Sequence, residues 1–109
     1  MSRSQRAKGQ RRERELVNLH LKLDVFAERV PLSGATHYRG GGHDIDVYPF
    51  GRDHGALVCE VKARASGEGF VQIERWLGEN DVLFLVKDRS DPLVTMPWRV
   101  WQQILARLS

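Results

Sequence analysis

The chain is predicted to fold as a single α/β or α+β sandwich, a central mixed β-sheet flanked by helices. Three observations predict it. Apolar residues recur at three- and four-residue steps near the N-terminus and again after Pro97, which is the helical period. Between these stretches lie short alternating or wholly apolar runs, at 44–48, 56–63 and 82–86, bounded by Gly, Pro and Asp; such runs have strand length. Finally, 109 residues with 41% hydrophobic and 28% charged content describe one ordinary globular domain rather than a disordered chain. A domain of this size buries only about two-thirds of its unfolded surface, so dimerisation would help it.

In order along the chain, residues 1–9 read as a flexible basic arm ahead of a domain over 10–109. Residues 3–14 hold Arg3, Arg6, Lys8, Arg11, Arg12 and Arg14 against the lone acid Glu13. Such a cluster is either an electrostatic footprint for phosphate or a solvated tail. From Gln10 to Glu28 the spacing of Leu16, Leu19, Leu23 and Phe26 predicts a helix, ended by Pro31 and Gly34. A loop follows, with Arg39 ahead of Gly40-Gly41-Gly42. It either lets a ligand come close or simply connects.

Asp44–Tyr48 and Ala56–Ala63 read as two strands of a hairpin across the polar turn Gly51-Arg52-Asp53-His54-Gly55. Ser66-Gly67-Glu68-Gly69 breaks the second strand. A short helix over Phe70–Leu77 then carries Phe70, Ile73, Trp76 and Leu77 on its inner side and stops at Gly78. The unbroken apolar run Val82–Val86 predicts a strand covered on both faces, and Leu93–Met96 a further strand. Pro97 suits the start of a helix, here Trp98–Leu108. The order is α-β-β-β-α-β-β-α if a short strand lies near Val30, and one strand fewer otherwise.

Several classes are excluded. The single cysteine, Cys59, forbids an internal disulfide and suits a reducing compartment. On the apolar side of its strand it should be an inert core residue. No apolar run approaches the roughly 20 residues that a membrane span needs. The basic N-terminus has no apolar stretch behind it and is not a secretory signal. The expected location is cytoplasmic or nucleoid-associated, or the host cytoplasm if the chain is phage-encoded.

The chemistry is expected around Cys59-Glu60-Val61-Lys62. Side chains alternate along a strand, so Glu60 and Lys62 share one face and Cys59, Val61 and Ala63 the other. Asp44 and Asp46 share a face of the preceding strand in the same way. If the two strands pair, carboxylates and an amine converge, and carboxylates brought together need something to offset their repulsion. Magnesium takes hard oxygen ligands and is typically held by one or two carboxylates plus phosphate. A nearby lysine can orient the attacking water or stabilise charge on the phosphate. The alternative is an exposed Glu–Lys pair of the kind many sheets carry.

On a helical wheel Glu13 lies within about 60° of Leu16, Val17 and His20, whereas Glu15 points roughly 160° away. Glu13 is therefore expected to lean inward, where a cation or an arginine should meet it. It also complements the helix macrodipole.

Lys8-Gly9-x-x-x-Glu13-Arg14-Glu15-Leu16, then Ser33-Gly34, Asp44-Ile45 and Glu60-Val61-Lys62 resemble the archaeal-type Holliday junction resolvases and their phage-borne relatives. These belong to the PD-(D/E)xK nuclease superfamily. The likeness runs in order from Lys8 to about Arg64. It implies a restriction-endonuclease-like fold and a homodimer that binds four-way DNA junctions. Two opposing strands would be nicked with magnesium, or manganese in its place, and no small-molecule cofactor.

By position, Asp44 and Glu60 match the metal ligands, Glu13 the helix-borne acid, Lys62 the catalytic lysine and Ser33 a serine near the scissile phosphate. Arg29 matches a basic position; Lys8, Arg11, Arg12, Arg14, Arg39 and Arg64 extend a basic line for the DNA backbone. Two departures stand out. His43 replaces the usual proline before the first acid, where it either donates to phosphate or is a plain loop residue. Asp46 rivals Asp44 as the ligand. Gln72 lines the site by analogy with the superfamily, and is otherwise an exposed helix residue. Trp76, Trp98 and Trp101 are expected as core or dimer anchors. Two other functions stay open: a nuclease of this superfamily acting on flaps, forks or duplex, and a non-catalytic DNA-binding subunit of the same fold.

Overall fold

The computed structural model describes residues 3–30 and 43–108, with side chains from residue 9 onward. Ser33, Arg39 and the triple glycine therefore lie outside the described residues, as does the side chain of Lys8. The fold is mixed α+β, with three helices and two small antiparallel sheets among the described residues. The element order is α1 (Arg3–Leu21), β1 (Phe26–Arg29), β2 (Ile45–Tyr48), β3 (Leu57–Cys59), α2 (Val71–Leu77), β4 (Leu83–Leu85), β5 (Leu93–Thr95) and α3 (Trp98–Leu108). Of the two orders the sequence left open, this is the one with a strand just before Val30. The chain divides into two compact units, Met1–Ala63 with Leu108–Ser109 and Arg64–Arg107.

In the first unit α1 packs on β1 and β2, and the sheet order is β1-β2-β3. Val25, Ala27, Val30, Ile45 and Val47 are buried and form its apolar core. β1 pairs with β2 so that Glu28 faces Asp46 and Arg29 faces Ile45. β2 pairs with β3 so that Ile45 faces Cys59 and Asp46 faces Val58. The β2–β3 connection is the predicted hairpin.

The first helix starts and stops earlier than its periodicity predicts. It begins at Arg3, so the residues expected as an arm are helical from there. It ends at Leu21, and Phe26–Glu28, expected as its last turn, belong to the strand Phe26–Arg29. The Val25 amide donates to the His20 carbonyl at 3.1 Å and the Asp24 amide to the Leu21 carbonyl at 3.0 Å. Asp24 has a left-handed φ of 62°. Together these make a Schellman C-cap, a motif that normally uses glycine. With aspartate in that position, and apolar residues continuing in step, the stop signal was hidden.

β3 ends at Cys59 rather than Ala63, because its partner strand begins only at Ile45. Glu60 and Lys62 thus lie on the extended segment just past the ladder. In the second unit β4 and β5 pair only with each other, in place of a place in one mixed sheet. Phe84 and Val86 are exposed, so the run expected to be covered on both faces is open on one. α2 has no buried residue and Trp76 is exposed; Gln72 is an exposed helix residue. α3 matches its predicted span and buries Val100 and Leu105. Trp98 and Trp101 are half-buried and line a shallow groove with Val94, Thr95 and Met96.

Candidate active site

Four elements of the first unit bring the predicted acids into relation. Glu13 sits on the inner face of α1 with 8% of its surface exposed, while Glu15 stays in solvent and pairs with Arg12 at 2.9 Å. Inward and outward glutamates are thus as the helical period predicts. The buried carboxylate is met by Arg29 from β1, whose Nε donates to Oε1 at 3.2 Å. Arg29 thus spends its Nε–H on Glu13. His20, one helical repeat along the same face, is also buried. Its Nδ1 lies 2.7 Å from the Leu16 carbonyl and so carries the proton it donates.

Asp44 stands where β2 enters the sheet. Its amide donates to the Cys59 carbonyl at 2.9 Å, and its carbonyl accepts from the Val30 amide at 3.1 Å. Its backbone is therefore held from both neighbouring strands. Its side chain reaches past the end of the ladder, where Oδ2 accepts from the Val61 amide at 2.6 Å. A carboxylate thus replaces the next ladder carbonyl and ties down the segment that carries Glu60 and Lys62.

Asp44 also lies beside Glu13. Burial pushes the Glu13 carboxyl above the ordinary glutamate range, the Arg29 hydrogen bond opposes this, and the charge of Asp44 together with a side-chain hydrogen bond to it adds to the rise. Two acids that face each other in this way favour a shared proton or a shared cation.

Asp46 takes a different place. It is 2% exposed, and its Oδ1 lies 2.6 Å from His43 Nε2. A carboxylate accepts, so Nε2 carries the proton. Sequence periodicity put Asp44 and Asp46 on equal terms; their partners separate them. Asp46 is walled in with His43, whereas Asp44 meets Glu13. The His43–Asp46 dyad was not foreseen, although the i, i+3 spacing of an imidazole and a carboxylate was visible.

Glu60 and Lys62 pair with each other, Nζ to Oε2 at 3.1 Å, and are 54% and 62% exposed. Both side chains stand in solvent. Among the described residues, no group of three or more His, Cys, Asp and Glu side chains gathers to hold a metal ion. Two facing carboxylates are nonetheless the hard oxygen donors that magnesium takes, with water and phosphate completing its octahedron. The donors fit magnesium or manganese better than zinc, which prefers nitrogen and sulfur.

Cys59 is half-buried, with its thiol donating to the Leu57 carbonyl at 3.4 Å. Burial, and then the charge of Asp46, push the thiol up, which makes it a poor nucleophile. Arg11, Arg12 and Arg14 are exposed on α1, and Arg64 is exposed in the second unit.

Comparison with protein families, with curated proteins and with solved structures finds no match to this chain.

Proposed function

We propose that the chain is a magnesium-dependent DNA endonuclease of the PD-(D/E)xK superfamily, with a restriction-endonuclease-like fold, that resolves four-way junctions by paired nicks as a homodimer. The observation that carries this reading is the position of Asp44. Its side chain fastens the Glu60–Lys62 segment while its charge faces Glu13. Of the residues matched by the resemblance, Glu13, Asp44 and the segment carrying Glu60 and Lys62 thereby lie in contact as well as in order.

Asp44 and Glu60 would hold the ion, with Glu13 reaching it directly or through water. The ion, when bound, supplies Lewis acidity at the scissile phosphate. Lys62 has a long exposed side chain on a segment fixed at Val61, so its ammonium can swing from Glu60 to position water or to meet charge growing on the phosphate. Arg29 holds Glu13 by a hydrogen bond and opposes, without cancelling, the rise that burial imposes on its carboxyl. Exposed arginines 11, 12 and 14 on α1 supply non-specific attraction to the DNA backbone. Ser33 joins the phosphate contacts by resemblance alone.

Glu60→Ala and Lys62→Ala test the reading cleanly, because both side chains are exposed and their loss should change stability by less than about 0.5 kcal/mol. Each is expected to abolish magnesium-dependent nicking of a four-way junction while junction binding survives. Variants that cut like the parent would sink the site assignment. Comparing junction, fork, flap and linear duplex at matched salt separates resolvase from other nucleases of the superfamily. The outward Glu60–Lys62 pair is the observation that favours a non-catalytic DNA-binding subunit, and a manganese titration with neither binding nor cleavage by the parent would select it.

A further inference from the structure

We infer that the tip of the β2–β3 hairpin is a stacking platform for an unstacked nucleobase, built from Phe50 and Arg52; the inference rests on the reading of the chain as a DNA nuclease. Phe50 is 58% exposed and sits on a short, braced turn. The Gly51 amide donates to the Tyr48 carbonyl at 3.3 Å and the His54 amide to the Gly51 carbonyl at 3.1 Å. Gly51 itself has a φ of 102°, a conformation that other residues reach only with strain. The phenyl ring is thus presented from a braced backbone, and little backbone order is lost when something stacks on it.

A single exposed phenylalanine is ordinary. What sets this one apart lies two residues on. The Arg52 guanidinium sits 3.9 Å over the centroid of the Phe26 ring, and that ring packs against Tyr48 at 5.4 Å. Arg52 is exposed yet anchored by this cation–π contact. An aromatic ring and a held cation at one turn are what base-stacking sites combine. The tip's one acid, Asp53, is exposed.

The chemistry selects the form of DNA. In an intact duplex every base is already stacked, so a ring can engage one only at a branch point, an end or a single strand. The platform therefore favours branched or single-stranded DNA over linear duplex. It stands at the opposite end of the hairpin from Asp44, about five strand steps or roughly 15 Å away. Substitutions at the tip leave the carboxylates in place.

The test is binding of the full chain, in calcium so that no strand is cut, to a four-way junction, a single-stranded oligothymidine and a linear duplex. Phe50→Ala is expected to weaken junction and single-strand binding by about 5- to 150-fold, the range for one stacked base, and duplex binding by less than about twofold. Phe50→Leu, which keeps the apolar bulk without the π face, should fall with the alanine variant. Phe50→Trp should bind like the parent, with indole emission quenched on adding the single strand. Circular dichroism of each variant verifies folding.

Unchanged affinities in Phe50→Ala, or full affinity in Phe50→Leu, overturn the platform while leaving the nuclease reading intact. If Phe50→Ala alters only self-association, the tip is a protein contact and the proposal fails. A parent that binds none of the three DNAs overturns both readings together.

Discussion

The Asp44 carboxylate accepts a 2.6 Å hydrogen bond from the Val61 amide, seventeen residues away, at the point where the β2–β3 ladder runs out. Asp46, two residues on, turns instead to His43 at 2.6 Å. These two contacts give the aspartates different partners, and under the proposed function they assign Asp44 to the metal ion and Asp46 to the fold.

Asp44→Asn keeps an acceptor for the Val61 amide but removes the charge. It should fold nearly as well as the parent and lose manganese binding by calorimetry. Asp44→Ala removes both and should cost about 1–3 kcal/mol in urea denaturation, with the Glu60–Lys62 segment losing amide protection first. Asp46→Ala, which leaves the His43 Nε2–H without that acceptor, should lose stability, whereas Asp46→Asn should retain metal binding. Metal binding that survives Asp44→Asn and vanishes in Asp46→Asn would reverse the assignment.

The Glu13–Arg29 pair gives stability a pH dependence of definite sign. Burial and Asp44 raise the Glu13 carboxyl above the ordinary range despite Arg29, so the folded chain holds that proton more tightly than the unfolded one. This contribution is fully present below the ordinary glutamate range and is lost as pH rises through the raised folded value. Arg29→Ala removes both lowering influences. It should therefore destabilise the metal-free protein by about 1–3 kcal/mol at pH 8 and by clearly less at pH 4. Urea midpoints at the two pH values report the difference, and an equal loss at both would refute the coupling.

Asp24 closes α1 with a left-handed φ of 62°, a conformation that costs a non-glycine residue about 1 kcal/mol. Asp24→Gly should relieve that cost and raise stability by about 0.5–1 kcal/mol, offset in part by the entropy of glycine. Asp24→Val, β-branched and without local hydrogen bonding, should lower stability by about 1 kcal/mol or more. Thermal melts of the two variants should move in opposite directions; a higher melting temperature for Asp24→Val would refute the cap.

Much of the first unit was legible because its signals are local. Helical period placed Glu13 inward and Glu15 outward, and the polar turn at 51–55 between two apolar runs made a hairpin. The span of α3 followed from Pro97 and the period after it. The end of α1 was not legible: the Schellman cap uses aspartate, and Phe26 continues the apolar spacing into what becomes a strand. Nor was the open face of β4. An unbroken apolar run records what a strand prefers, while the number of strands beside it depends on the rest of the chain.

By itself, then, the sequence determined the order of elements apart from β1, the hairpin and which acids were available, since these depend on periodicity and turn chemistry over a few residues. Only the tertiary structure decided what each acid does. Glu13 meets Arg29 sixteen positions away, and Asp44 meets both Glu13 and the Val61 amide. Those partners are set by how α1 lies on β1 and β2 and by where the β3 ladder stops. Two aspartates equivalent by strand alternation become unlike because packing gives one an imidazole and the other a second carboxylate.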